Sequence, residues 1–228
     1  MTNIILYLYF SVFSIQIVCY FSPMSLKSDL IHYSKLCYSH SFVAATDGNI
    51  SLRTGKNYIL TTATEVCKGK VTLKDIVIVD VNGKIIEGKK KPSTELKLHE
   101  FIYKSRKDVN AVIHTHPKFS SAFAASGIAL DKPVFPEIYL KLGKIPLAKY
   151  ATPSTDEVPE SISELVNDHN AILLANHGLV TYGKTLEEAY FLTEKIEQFA
   201  EISFYSRMLG GEKLLTKQQL NKLDNLKN

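Results

Sequence analysis

The sequence predicts an α/β domain with strands in the middle and helices around them, arranged in three layers. Three observations carry that expectation. Asn110 to His116 and Ala171 to His177 are apolar runs with the length of buried strands, and both end in histidine. Thr185-Leu186-Glu187-Glu188 has the form of a capping box opening a long helix, which Gly210-Gly211 stops near Leu209. Between Asp47 and Ile86, short β-type segments are separated by strong turn signals.

The elements follow in chain order. Leu26 to His40 reads as a helix with Leu30, Ile31, Ser34 and Cys37 on one face. Asp47-Gly48-Asn49 turns the chain into a strand at Ile50 to Arg53, and Thr54-Gly55-Lys56 turns it again into Tyr58 to Thr61. Asp75 to Val81 alternates apolar and polar residues, and Asn82-Gly83 is a hairpin signal into Lys84 to Ile86. Ser93 is placed to cap a helix running to about Lys107. The tail, 213–228, is polar and lysine-rich, a helix or a loose end; 24–212 reads as one domain. Residues 1–23 stand apart as an apolar extension without a charged residue. Their run Ile4 to Phe21 is at the lower edge of a membrane span and lacks the positive start of a secretory signal. An early-assigned start, a membrane anchor and an additional buried helix are the readings open to it.

Composition narrows the function classes. The chain has 228 residues, 45% hydrophobic and 22% charged, which suits one soluble domain with a sizeable core. The net charge of +4 is spread without a block of like charges; Gly88 to Pro92 is the densest run and reads as a solvated loop, so no nucleic-acid partner is expected. Cys19, Cys37 and Cys67 form no C-x-x-C pair and are odd in number, which indicates neither a disulfide framework nor a cysteine metal site. A reducing, cytoplasmic compartment is expected.

Four groups of residues carry candidate chemistry. His114 and His116 lie at i and i+2 on a predicted strand, so both imidazoles point to one face. Two imidazoles make two corners of a tetrahedral metal site; His177, followed by the flexible Gly178, is the candidate third, leaving an open position for catalysis. The same pattern also arises as a packed or surface pair. Ser93-Thr94-Glu95 opens a helix, where free N–H groups and two hydroxyls suit a phosphate and Glu95 could serve as a general base. The plainer alternative is an N-cap followed by a first-turn acid. Gly48-Asn49 before a strand could present N–H groups to an anion or could be a simple turn.

Taken together and in order, GNIS at 48–51, KPSTELKLHEFIY at 91–103, AVIHTHP at 111–117, IPLAKYATPST at 145–155 and LLANHGLVTYGKTLEEAYFLTEKIE at 173–197 resemble the class II aldolase/adducin-like superfamily. The resemblance covers roughly 26–210 and is most marked toward fuculose-phosphate aldolases. It implies a three-layer α/β/α fold with a mostly antiparallel central sheet, and a homotetramer with active sites near subunit interfaces. It implies one Zn²⁺ per subunit, or another divalent metal, on His114, His116 and His177. It implies Glu95 as the acid/base and Gly48, Asn49, Ser93 and Thr94 as holders of the substrate phosphate. The reaction implied is reversible cleavage of a ketose 1-phosphate such as L-fuculose 1-phosphate into dihydroxyacetone phosphate and an aldehyde, with the metal stabilising the enediolate.

The chain departs from the pattern in two places. After the second strand, relatives carry a hydroxyl residue and then a glycine; here Thr61-Thr62-Ala63-Thr64-Glu65 lacks the glycine and adds a carboxylate. The tyrosine that protonates the departing aldehyde has no sure counterpart, and Glu137, Tyr139 and Tyr205 are the candidates. His99, one turn after Glu95, is expected to support or pack rather than ligate. The same superfamily also contains ribulose-phosphate 4-epimerases, methylthioribulose-phosphate dehydratases and metal-free adducin-like modules. An intact histidine set with Glu95 favours an enzyme over the last of these.

Overall fold

The computed structural model describes residues 23–55 and 57–226. The 1–23 extension therefore lies outside the described residues except for Pro23, which begins the first helix. Helices are α1 (Pro23–Ser39), α2 (Leu96–Ser105), α3 (Lys118–Ala125), α4 (Pro136–Lys141), α5 (Glu157–Ser161), α6 (Leu186–Met208) and α7 (Lys217–Asp224). Strands are β1 (Asn49–Thr54), β2 (Tyr58–Thr62), β3 (Ile76–Asp80), β4 (Ile85–Glu87), β5 (Ala111–Thr115), β6 (Leu147–Ala148), β7 (Ala171–Leu174) and β8 (Gly178–Gly183). They form one sheet in the order β4-β3-β2-β1-β5-β8-β7-β6. Every pairing is antiparallel except β6 with β7. A mostly antiparallel sheet is what the resemblance implied.

The central strand β5 is buried along its whole length, which requires cover on both faces. Register shows what provides it. Ser51 on β1 lies opposite Val112, and its hydroxyl meets His99 and Tyr103 of α2. Tyr182 lies opposite Val112 on the other side and donates to the Val166 carbonyl just after α5. That face, which also carries His114, is thus covered by α2 and the α5 region. Thr181, opposite Ile113, bonds the Ala189 carbonyl and the Thr193 hydroxyl of α6. Helices α1 and α3 pack with α6 on this second face. Three layers result.

Sequence expectations differ from the structure at several ends. The run 171–177 is not one strand. It breaks after Leu174, turns through Ala175, Asn176 and His177, and returns as β8, which the sequence reading missed. Asn176 takes φ +56, a left-handed conformation that asparagine tolerates. Ser93 is not the N-cap of α2: the helix begins at Leu96 with Glu95 in the cap position. At α6, Thr185 does accept from the Glu188 N–H, but the Glu188 carboxylate accepts from Lys184 instead of closing the box on Thr185. The tail contains α7, capped at Thr216 by a reciprocal box with Gln219. Among the described residues, no helix is long and apolar enough to cross a membrane.

Candidate metal centre and active site

β1 and β5 pair so that Asn49 lies directly opposite His114, on the α2 face. His114 is buried at the end of β5, and His116 follows two residues on, its backbone N–H held by the Phe42 carbonyl. His177 comes from the β7–β8 turn, whose N–H groups bond Leu174 and Ala124 carbonyls. The turn presses on β5 through Gly178: a Cβ there would stand 2.6 Å from His116 Cδ2 and from the Thr115 carbonyl oxygen. The glycine is thus needed for close approach, which corrects the expectation of flexibility. Gly48 is constrained likewise, with φ +70 and a hypothetical Cβ 2.7 Å from the His114 carbonyl oxygen.

The three Nε2 atoms converge. His114 Nε2 is 3.1 Å from His116 Nε2 and 3.2 Å from His177 Nε2, and one ligand atom from each residue lies within 4.8 Å of the others. A tetrahedral site with metal–nitrogen bonds of about 2.0–2.1 Å places ligand nitrogens roughly 3.3 Å apart, so the spacing fits. The protonation pattern fits as well. His114 Nδ1 is 3.1 Å from the Leu179 carbonyl, which only accepts, so Nδ1 carries the hydrogen and Nε2 presents its lone pair. Burial pushes His114 down to about 3, so it stays neutral, as a ligand must be. Asp47 Oδ2 stands 3.8 Å from His116 Nδ1, the ring nitrogen that does not face the cluster. The sequence reading treated Asp47 only as a turn residue; its relation to His116 arises from the fold.

Glu95 faces this cluster. Its Oε1 is 3.1 Å from His177 Nε2 and its Oε2 is 3.5 Å from His114 Nε2. Asn49 Nδ2 donates to Oε2 at 2.8 Å. The carboxylate makes no capping bond to its own helix, so the first-turn dipole reading does not describe it. Burial works against its ionisation, but the adjoining imidazoles and the Asn49 hydrogen bond prevail and hold it below the usual carboxylate range.

The remaining predicted residues lie around this centre. Ser93 Oγ accepts from the Glu95 N–H at 3.2 Å, and Thr94 Oγ1 accepts from Ser154 Oγ at 2.8 Å. Each keeps its own hydroxyl hydrogen to donate. Ser154, at φ +66, brings the 152–155 segment to the rim, a role its sequence did not signal. After β2, Ala63 bridges Pro92, which joins this loop to the Ser93 segment. Exposed Glu65 adopts φ +56, the conformation glycine favours, at the place where the glycine was missed. His99 is fully buried with Nδ1 2.6 Å from Ser51 Oγ and is pushed down to about 4 by burial; it supports the floor and is outside the ligand cluster. Tyr139 donates to Asp224, and Tyr205 packs on Phe119 and Phe204.

Comparison with known proteins agrees with this arrangement. The family described as Class II Aldolase and Adducin N-terminal domain matches residues 28–204. The chain belongs to that family. An L-fuculose phosphate aldolase of Methanococcus maripaludis is 40% identical over 179 residues, covering 77% of this chain and 96% of that protein. A 5-deoxy-D-ribulose 1-phosphate aldolase of Bacillus thuringiensis serovar kurstaki is 31% identical over 201 residues, covering 86% and 92%. A solved L-fuculose 1-phosphate aldolase superposes with a TM-score of 0.83 at 26% identity, covering 91% of this chain and 98% of that one. The protein is an enzyme of the class II aldolase type.

Proposed function

We propose that the protein is a zinc-dependent aldehyde-lyase that reversibly cleaves a ketose 1-phosphate, with L-fuculose 1-phosphate the leading candidate, into dihydroxyacetone phosphate and an aldehyde. The observation that carries this reading is the Glu95 carboxylate, held by Asn49 and turned onto the three converging imidazole nitrogens. Two relatives with different sugars in their names are both phosphoketose aldolases, which supports the reaction class and leaves the aldehyde half open.

His114, His116 and His177 would hold the metal. A bound divalent cation supplies Lewis-acid stabilisation of the negative charge that develops on the substrate's carbonyl oxygen. In the cleavage direction the bond between the third and fourth carbons breaks, the fourth carbon's hydroxyl gives its proton to solvent and becomes the aldehyde, and the third carbon keeps the electron pair. Glu95, a carboxylate at rest, takes up one proton from solvent and delivers it to that carbon, completing dihydroxyacetone phosphate; in synthesis it removes the same proton and returns it to solvent. Asn49 fixes the carboxylate for both directions. Gly48, Asn49, Ser93 and Thr94 bind the phosphate, with the two hydroxyl hydrogens as donors, and this remote binding energy orients the reacting carbons. A homotetramer in a cytoplasmic setting completes the proposal.

The test is release of dihydroxyacetone phosphate from L-fuculose 1-phosphate and from 5-deoxy-D-ribulose 1-phosphate by zinc-loaded protein, with and without chelator. Chelator-sensitive release supports the reading. Absence of release from both sugars by fully loaded protein would overturn it.

A further inference from the structure

Lys68 is 1% exposed, an uncommon place for a lysine. It opens the 3₁₀ turn Lys68–Lys70 after the loop that follows β2. Its Nζ donates to the Thr46 carbonyl and to the Val66 carbonyl, each at 2.9 Å. Thr46 stands two residues before Gly48, and Val66 two residues after Thr64. The ammonium thus joins the Gly48-Asn49 segment to the Thr62–Glu65 loop. Among the described residues it enters no ion pair. The acids and thiol that act on it are Asp47, Cys67 and Glu95. A buried cation without a contacting anion is costly, and a nearby anionic ligand removes much of that cost. Burial accordingly draws Lys68 down to about 8.

We propose that Lys68 is a positioning residue for the substrate phosphate: it clamps the 46–49 and 63–66 segments together and places beneath them a positive charge that an anionic ligand compensates. This rests on the phosphate reading given above.

Clamp and charge are separable. A neutral amine still has two N–H groups, enough for both carbonyls, so raising the pH removes the charge and leaves the clamp. The probe is inorganic sulfate, which stays dianionic throughout the range, titrated calorimetrically into the metal-loaded protein. Expected is binding that weakens about tenfold or more as the pH rises through about 8, with metal content unchanged and no loss of thermal stability, so that the weakening does not come from unfolding. Cys67→Ser should show the same fall, which removes the neighbouring thiol as its source. Lys68→Met should bind sulfate about tenfold more weakly at neutral pH, lack the pH dependence, and raise KM for the phosphorylated substrate more than it lowers kcat. Ser93→Ala should weaken sulfate and so place it in the cradle. Sulfate affinity in the wild type that is flat through this range, or a folded Lys68→Met that binds as tightly, overturns the proposal while the phosphate reading survives. A wild type that binds no sulfate at any pH overturns both.

Discussion

The histidine end and the anion end of the site are built differently. His114 and His116 ride on β5, a strand buried on both faces and paired on both edges, and His177 is pressed against it by Gly178. The proposed phosphate cradle is made of loops: the turn before β1, the segment after β2 and the stretch before α2. Packing and register fix the first. The second depends on cross-links such as the Ala63–Pro92 bridge and the Ser154–Thr94 hydroxyl pair. The proposed metal ligands are held on or against the sheet, while the proposed phosphate holders sit on loops, where sequence can change without disturbing the core. Glu65, in the stretch where the resemblance led us to expect a glycine, falls on the loop side.

Substitutions at the histidine end, where Glu95 meets the imidazoles, should have the largest effects. His116→Ala should lose bound metal and reduce turnover by about a thousandfold or more, measured by metal analysis and aldol cleavage. Full metal occupancy in that variant would dismiss the ligand assignment. Glu95→Gln should keep the metal and lower kcat by about 10²–10⁴-fold with little change in KM; wild-type kcat would mean that another group moves the proton.

At the loop end the effects should be smaller and should fall on binding. Thr94→Ala should raise KM by about tenfold while kcat stays within about twofold. An equal fall in kcat would place Thr94 with the reacting atoms and erase the contrast between the two ends. Glu65→Gly removes both a left-handed non-glycine and a carboxylate. It should lower KM for phosphorylated sugars by a few fold, with a stability change within about 1 kcal/mol by thermal denaturation.

The floor between the ends makes a prediction about pH. In the folded, metal-free protein His99 and His114 are held near 4 and 3 by burial, whereas the unfolded chain protonates them near 6.5. The unfolded state therefore binds more protons between those values, and stability falls as pH drops through that window, by up to about 1.4 kcal/mol per unit for each group. Thermal melts in chelator from neutral pH downward should show the loss, and His99→Gln should flatten part of it. A melt curve unaltered by that substitution would mean that His99 does not contribute.

Much of this was legible in the chain. The strands at Ile50, Tyr58 and Asn110, the hairpin at Asn82-Gly83 and the long final helix follow from periodicity and turn chemistry, which are local properties. His114 and His116 declare a shared face because strand side chains alternate with a period of two. The boundary at Leu174 is hard to read, because Ala175 prolongs the apolar run from Ala171 and the only punctuation is the short Asn176-His177-Gly178 stretch; the left-handed Asn176 makes the turn. So is the start of α2, since Ser93 and Thr94 suit a cap as well as they suit a ligand. What only the tertiary structure decided is which distant groups meet: His177 with β5, Asn49 with Glu95, Asp47 with His116, Lys68 with two loops. Sequence carries the period of each element and the chemistry of each side chain, but the pairing of β1 and β8 on either side of β5 is a long-range choice set by burial of both sheet faces, and the site is made by that choice.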